Sequence, residues 1–285
     1  MLLAGVSLIT HLPAAVPAAL AEDHPMHEEV RFPSVVGPEL AGTIDLPEGE
    51  IRGWGLFVHG FTLGRNSPAA SRVSKQLARE GIGMLRYDNL GIGDSDGDWG
   101  DGSFTVKVQD TVRAAAVMAE RGTPAELLVG HSWGGAAAIA AAAEAIGVRA
   151  VATIGAPADP SSVERQYDAV VDRVLSDGSH EWLVGGRALV LKRAFVDDVR
   201  QAQLRDRIRE LNLPLLVMHS PTDDTVDIAN AGEIFREAQH PRSFISLEGA
   251  DHLLTARGQA QRAARIISAW AGQYVQPSQP AGEGN

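Results

Sequence analysis

The chain has 285 residues, a formal net charge of −11 and no cysteine. This charge argues against binding to nucleic acid or to an anionic membrane surface through bulk electrostatics. The lack of cysteine excludes a disulfide framework, a thiolate zinc site and a cysteine nucleophile.

The first 25 residues resemble a secretory signal in part. Residues 2–21 are apolar and end in Ala-Leu-Ala, which is typical of a cleavage site. No Lys or Arg precedes this stretch, however, and a histidine and two prolines interrupt it, so it predicts no membrane-spanning helix. It is a cleaved signal, a retained extension, or a segment upstream of a true start at Met26. We favour a cytoplasmic location, with a secreted or periplasmic one as the alternative.

Residues 26–275 alternate strand-like and helix-like segments. The first two strands, over 30–32 and 40–46, are joined by a Gly/Pro turn and are predicted to be antiparallel. Further strands are predicted over 54–58, 82–87, 125–129, 148–154, 213–218 and 244–247. Helices are predicted over 67–80, 104–120, 133–145, 228–238 and 256–274. This alternation predicts an α/β domain with a mostly parallel, eight-stranded sheet and helices on both faces.

Residues 159–206 interrupt this alternation. A helix is predicted over 161–175, and a hairpin over 182–190, in which two glycines form the turn. We interpret the segment as a small cap inserted above the sheet. The last residues, 276–285, are rich in Pro, Gly and polar residues and are predicted to be disordered.

A Gly-x-Ser-x-Gly motif, Gly130-His131-Ser132-Trp133-Gly134, stands between a predicted strand and a predicted helix. In that context the serine occupies a tight strand-to-helix turn, where glycines avoid clashes between the crossing helix and strand. The serine Oγ then projects above the carboxyl ends of the strands, where open α/β sheets bind ligands. Ser132 is therefore the candidate nucleophile.

A serine hydroxyl needs a base to take its proton, and an acid and then a histidine are expected further along the chain. His252 follows the last predicted strand and is the candidate base, whereas His219 is assigned to a buried strand end and His240 to the surface. Two adjacent carboxylates follow the preceding strand. Asp223 is favoured as the acid, and Asp224 is interpreted as a solvent-facing or capping residue.

Stabilising the oxyanion of an acyl-transfer intermediate takes two backbone N–H groups. Trp133, the residue after the nucleophile, is one candidate donor, and Phe61 in the loop after the third strand is the other. A substrate pocket is predicted between this loop and the cap, with packing inside the cap as the alternative for its cap residues. The candidate pocket residues are His59, Tyr167, Trp182, Leu183 and Phe195.

Taken together, these motifs resemble the α/β-hydrolase superfamily over about residues 28–275. Three segments are similar to the hydrolase half of bacterial proteins that fuse an α/β hydrolase to an OsmC-type peroxide-reducing domain. These segments are ATIGAPADP (152–160), HSPTDDTV (219–226) and HPRSFISLEGADHLL (240–254).

This resemblance implies that Ser132, Asp223 and His252 form the catalytic triad. The chain departs from those relatives in two ways, because the OsmC half is absent and residues 59–61 read His-Gly-Phe where the relatives carry cysteine. Thiol-dependent peroxide reduction is therefore excluded.

The sequence thus predicts a serine hydrolase that cleaves a carboxylic ester of a small-molecule acyl substrate through an acyl-enzyme intermediate. We expect no cofactor, no metal, no nucleic-acid partner and no stable membrane insertion. Peptidase, thioesterase and cofactor-free perhydrolase chemistry on the same three residues are alternatives within the enzyme class. A ligand-binding protein built on the same fold is the alternative outside it.

Overall fold

The computed structural model of the chain describes residues 27–276. The interpretations of the first 25 residues, the alternative start at Met26 and the predicted disorder of residues 277–285 lie outside the described residues. None of the helices within the described part of the chain is long and apolar enough to cross a membrane.

Strands and α-helices alternate along most of this range. The strands are β1 (His27–Pro33), β2 (Glu39–Asp45), β3 (Gly53–Val58), β4 (Ile82–Tyr87), β5 (Leu127–His131), β6 (Ala150–Ile154), β7 (Ser179–Val184), β8 (Arg187–Lys192), β9 (Leu215–His219) and β10 (Arg242–Ser246). The helices are α1 (Pro68–Arg79), α2 (Phe104–Glu120), α3 (Trp133–Ala141), α4 (Asp168–Asp177), α5 (Arg193–Gln201), α6 (Leu204–Glu210), α7 (Ala229–Glu237) and α8 (Gln259–Ala271).

Eight of the strands form one sheet in the order β1-β2-β4-β3-β5-β6-β9-β10. The β1–β2 and β2–β4 pairs are antiparallel, and every later pair of neighbours is parallel. This confirms the predicted fold class, a mostly parallel eight-stranded sheet with helices. Because parallel strands end at the same edge of a sheet, the loops that follow β3, β5, β6, β9 and β10 meet along one edge.

Two hydrophobic cores, one on each face of the sheet, hold the helices to it. In β3, Leu56 and Val58 belong to the core beneath α2 and α3, whereas Phe57 belongs to the core beneath α1 and α8. This alternation follows from the two-residue period of a strand. All three side chains are fully buried, and burying a side chain of this size contributes roughly 1.5–3 kcal/mol.

The observed helices differ from the prediction in four places. α8 begins at Gln259 and ends at Ala271, three residues inside each end of the predicted helix over 256–274. α3 ends at Ala141, whereas the sequence predicted an end at residue 145. The prediction was too long because the alanine run contains no stop signal before Gly147. The helix predicted over 161–175 divides at Tyr167 into a 3-10 helix, Pro160–Gln166, and α4. α5 and α6 were not predicted, since nine and seven residues give only a short periodic pattern.

Residues 159–206, which we call the cap segment, contain the 3-10 helix, α4, the β7–β8 hairpin and α5. The hairpin turns at Gly185 and Gly186, whose φ angles of 55° and 77° are the left-handed values that a two-residue type I′ turn requires. Neighbouring residues of a strand point to opposite faces. Accordingly, Trp182 is buried against the core, whereas Leu183 is 72% exposed.

Candidate active site

Ser132 lies at the turn between β5 and α3, in a backbone conformation that few side chains adopt. Its φ of 54° and ψ of −131° lie in a sparsely populated region, which costs on the order of 1–3 kcal/mol. The Ser132 N–H donates to the Ile154 carbonyl at 2.8 Å and ties the turn to β6. A Cβ at Gly134 would collide with the Val58 carbonyl oxygen, so the motif needs glycine there. The elbow therefore holds Ser132 above the sheet edge.

One histidine joins the serine and an aspartate in a hydrogen-bonded chain. His252 Nε2 lies 2.9 Å from Ser132 Oγ, and His252 Nδ1 lies 2.8 Å from Asp223 Oδ2. Ser132 and His252 remain 7% and 8% exposed, so the chain of hydrogen bonds lies just below the surface. The structure thus brings together the three residues that the sequence analysis selected.

Asp223 is oriented by the loop that follows β9. Its Oδ1 accepts hydrogen bonds from the Thr225 and Val226 N–H groups, both at 2.9 Å, which leaves Oδ2 for His252. Burial raises the pKa of Asp223, but the hydrogen bonds from His252 and Val226 outweigh it and lower the pKa overall. The neighbouring Asp224 is exposed and contacts Thr225 Oγ1 instead. Geometry therefore favours Asp223 as the acid.

Two further histidines support the loops that carry this chain of hydrogen bonds. His131 Nε2–H donates to the His252 carbonyl at 2.7 Å, and His219 Nε2–H donates to the Val226 carbonyl at 2.8 Å. Burial, together with the nearby His252, lowers the pKa of His131 to about 4, so this ring stays neutral at neutral pH. The sequence analysis missed the role of His131, although its position inside the serine motif was a usable signal.

Gly155, the residue after β6, was also missed by the sequence analysis. Its φ of 59° is left-handed, and a Cβ there would lie 3.2 Å from Asp223 Oδ2 and 3.4 Å from His252 Nδ1. A side chain at this position would therefore press on the hydrogen bond between the aspartate and the histidine.

The two candidate oxyanion donors are the N–H groups of Phe61, in the loop after β3, and Trp133, the first residue of α3. The loop after β3 comes so close that a Cβ on Gly60 would lie 3.2 Å from Ser132 Cβ. His59 Nδ1–H donates to the Gly60 carbonyl at 2.9 Å, and a trans peptide then directs the Phe61 N–H to the opposite side. The Trp133 N–H is the first of α3 and has no partner inside the helix.

Aromatic side chains from the β3 loop, α3 and the cap segment pack around one another beside the elbow. The Phe61 ring lies 5.4 Å from Trp133, 5.9 Å from Trp182 and 5.9 Å from Phe195, measured between centroids. Tyr167 joins the same cluster. The sequence analysis missed its sixth member, Trp99, whose ring lies 5.2 Å from that of Phe195.

Of the five predicted pocket residues, only Phe195 lines one of the two cavities described below. Tyr167 and Trp182 are buried in the aromatic cluster, which is the alternative that was predicted for the cap residues. Leu183 points to solvent, because the register of the hairpin places its neighbour Trp182 on the inner face. His59 is buried beneath the β3 loop and lines neither of the cavities described below. Burial and the nearby Lys107 hold the pKa of His59 well below its usual range, so it braces the loop as a neutral ring.

Two cavities flank the elbow. The first, which we call the aromatic slot, is narrow, with a cavity volume of about 20 Å³, and is lined by Phe61, Thr62, Asn89, Leu90, Trp99, Gly102, Ser103, Val106, Lys107, Asp110, Trp133 and Phe195. The second, the elbow cleft, has a cavity volume of about 100 Å³ and is lined by Ser132, Trp133, Pro157, Ser162, Val163, Arg165, Gln166, Thr225 and Val226. Trp133 lines both cavities.

Comparisons with known proteins agree with this geometry. A model of the alpha/beta hydrolase family matches residues 56–266. The esterase domain of a Rhodothermus marinus protein is 35% identical, with 87% of this chain and 99% of that chain covered and a TM-score of 0.69. No curated protein sequence matches.

Two more distant structures share the fold. Est1E from Butyrivibrio proteoclasticus, solved with ferulic acid bound, is 18% identical, with 86% of this chain and 98% of that chain covered and a TM-score of 0.68. A dienelactone hydrolase from Anabaena variabilis is 20% identical, with 89% and 100% covered and a TM-score of 0.61. The narrower resemblance to proteins fused to an OsmC domain stays a prediction. On the family match and the esterase-domain likeness, the chain belongs to the alpha/beta hydrolase family.

Proposed function

We propose that the chain is a serine hydrolase that cleaves carboxylic esters through an acyl-enzyme intermediate on Ser132. The observation that carries this proposal is the position of His252, with one ring nitrogen 2.9 Å from Ser132 Oγ and the other 2.8 Å from Asp223. A base that touches the nucleophile and is itself oriented by a carboxylate is the arrangement that activates a serine hydroxyl.

In the first half of the reaction, Ser132 Oγ attacks the ester carbonyl carbon while His252 Nε2 takes the hydroxyl proton. Asp223 keeps the Nδ1–H tautomer of His252 and stabilises the imidazolium ion that forms. When the tetrahedral intermediate collapses, the bond between the carbonyl carbon and the alcohol oxygen breaks. His252 then gives its proton to the leaving alcohol, and Ser132 retains the acyl group.

The Phe61 and Trp133 N–H groups stabilise the oxyanion of this intermediate. Trp133 is the first residue of α3, where the partial positive charge of the helix N-terminus adds to its hydrogen bond. The loss of one such donor typically costs on the order of 3 kcal/mol of transition-state stabilisation. The loop after β3 matters for rate because His59 fixes the peptide that presents Phe61.

The two cavities receive the two sides of the ester. The elbow cleft is lined by Thr225 and Val226, which follow Asp223, so it lies on the side of His252. Because His252 must protonate the leaving oxygen, the alcohol occupies the cleft and the acyl group occupies the aromatic slot. In the second half of the reaction, a water molecule enters the cleft, loses a proton to His252 and attacks the acyl carbon. Ser132 then leaves and takes its proton back from His252.

An ester is favoured over the other acyl substrates by the 35% identity to an esterase domain that aligns over 87% of this chain. Peptidase, thioesterase and perhydrolase activities on the same residues are the rivals within the class, and a ligand-binding protein is the rival outside it. A panel of 4-nitrophenyl esters of graded chain length, with matched anilide and thioester analogues, separates the activities. Ester turnover well above anilide and thioester turnover is the expected result.

Labelling with a fluorophosphonate probe tests the nucleophile directly. We expect a probe adduct on Ser132 in the wild type and none in Ser132→Ala. Ser162, another serine of the elbow cleft, provides the matched control, since Ser162→Ala should be labelled like the wild type. A folded wild-type protein that takes no label would favour the ligand-binding alternative over the enzyme.

A further inference from the structure

A buried lysine lines the aromatic slot and has no part in the mechanism above. Lys107 lies on α2, is 3% exposed, and shares the slot with Phe61 and Trp133. Its Nζ donates one hydrogen bond, to Asn89 Oδ1 at 3.1 Å. An ammonium group has three hydrogens to donate. Among residues 27–276, Asn89 is the only hydrogen-bond acceptor of Nζ, so two hydrogens are left without a partner there.

The positive charge of Lys107 also lacks a close carboxylate among the described residues. Among the described residues no carboxylate lies within 4.0 Å of Nζ. The Asp110 carboxylate, one turn further along α2, attracts the ammonium group only from a longer distance. The Asp110 carboxylate is directed to Ser34 Oγ and the Val35 N–H, each at 2.9 Å. Burying an ammonium ion without a paired anion is costly.

Among the titratable groups described around Lys107, Asp110 alone attracts its positive charge. His59, near the end of β3, is held neutral by burial, and burial raises the pKa of Tyr87 on β4 far above neutrality. Asp110 also lines the slot, but its carboxylate lies more than 4.0 Å from Nζ, and burial raises its pKa. The walls of the slot between Lys107 and the elbow are mostly apolar, with Trp99 and Phe195 among them. The slot therefore combines aromatic walls with an ammonium group that has one hydrogen-bond acceptor and no carboxylate within 4.0 Å among the described residues.

We propose that Lys107 is a specificity-determining residue that binds a carboxylate at the far end of the acyl group, so that half-esters of dicarboxylic acids are preferred substrates. This inference rests on the proposed function, because it takes the slot as the acyl site. The ester carbonyl lies at the Phe61 and Trp133 amides, the aromatic side chains of the narrow slot move apart to admit an apolar spacer, and the free carboxylate accepts hydrogen bonds from Nζ. A charged acceptor also supplies the anion that Lys107 lacks.

The pH dependence supplies a second signature. Burial lowers the pKa of Lys107 to about 7, so the free enzyme loses the ammonium charge as the pH rises through neutrality. Binding of a carboxylate favours the charged form, so proton uptake accompanies binding above this pH. The preference for half-esters over neutral esters should therefore decline above about pH 7.

Paired substrates test the proposal. We would measure kcat/KM for the 4-nitrophenyl half-esters of succinate, glutarate and adipate, each beside the neutral diester made by methylating its free carboxylate. The wild type should prefer the best half-ester, and Lys107→Met should lower that preference roughly 10- to 100-fold, the usual effect of removing a charged hydrogen bond. Lys107→Arg keeps the positive charge and should retain part of the preference. This variant is the control for whether the fold tolerates substitution at position 107.

The outcomes separate this inference from the proposed function. Hydrolysis of neutral diesters with no preference for half-esters, or a preference that persists in Lys107→Met, overturns the role of Lys107 and leaves the esterase proposal intact. Failure of the wild type to hydrolyse any ester contradicts both. Calorimetric binding of monomethyl adipate to Ser132→Ala gives a readout without turnover. We expect binding with proton uptake at pH 8. Loss of this binding in the Ser132→Ala, Lys107→Met double variant would locate the bound carboxylate in this slot.

Discussion

Replacing Asp223 by asparagine tests the assignment of the acid, because the surrounding loop dictates how the new amide must orient. The Thr225 and Val226 N–H groups both donate to Oδ1, so in Asp223→Asn they hold the amide oxygen. The amide NH₂ group then faces His252 Nδ1 in place of Oδ2. Since NH₂ can only donate, His252 must carry its proton on Nε2, where it can no longer accept the proton of Ser132.

The expected loss follows from this tautomer. A serine protease whose histidine is forced into the wrong tautomer by the same substitution loses roughly 10⁴-fold in kcat. We therefore predict a fall of about that size for Asp223→Asn with a 4-nitrophenyl ester near neutral pH. Asp224→Asn is the matched control, because Asp224 is exposed and bonds only a threonine hydroxyl, and its kcat should change by less than about twofold.

The comparison requires that both variants are folded, which thermal unfolding monitored by circular dichroism checks. A folded Asp223→Asn variant that retains more than a tenth of the wild-type kcat would refute the assignment. In that case the hydrogen bond at 2.8 Å between His252 and Asp223 would hold the loop without supporting catalysis.

Two further predictions concern the elbow. Gly134→Ala places a Cβ against the Val58 carbonyl and should destabilise the fold by about 1–3 kcal/mol in urea unfolding. The control, Gly232→Ala on the open face of α7, should stabilise the fold by about 0.5–1 kcal/mol. Equal effects of the two substitutions would contradict the packing of the elbow. The pKa of His131 is about 4 when folded and about 6.5 when unfolded, so the unfolded chain binds more protons between these values. As the pH drops from 6.5 towards 4, this group should lower the free energy of unfolding by about 3 kcal/mol. His131→Gln, whose amide still donates to the His252 carbonyl, should make that decrease smaller. An unchanged slope would show that His131 is not buried as a neutral ring.

The sequence predicted the sheet and the meeting of three side chains because both depend on local patterns. Ser132 is marked by glycines that the elbow requires, and His252 and Asp223 follow predicted strands whose carboxyl ends share one edge. The Asp223 and Asp224 pair shows where this reasoning ended. Turn chemistry accepts either carboxylate. The contacts of the folded chain distinguish them, because Asp223 accepts from the N–H groups of residues 225 and 226 and lies 2.8 Å from His252 Nδ1.

Features that depend on tertiary packing were beyond the sequence. Lys107 was not singled out, because a lysine in an amphipathic helix is ordinarily assigned to the solvent face, and its burial depends on how α2 sits beside the β3 loop. Leu183 was wrongly assigned to the pocket because a hairpin pattern does not say which face turns inward. Trp99 lies in a short 3-10 helix that carries no periodic signal.

The acyl-enzyme itself provides the most direct test of the nucleophile. Wild-type protein mixed with excess 4-nitrophenyl acetate and quenched in acid within the first turnover should gain the mass of one acetyl group, and peptide mapping should locate it on Ser132. His252→Ala should not accumulate the adduct at a comparable rate. Rapid nitrophenol release with the acetyl group on another residue, or with no covalent adduct and no burst, would contradict the proposed mechanism.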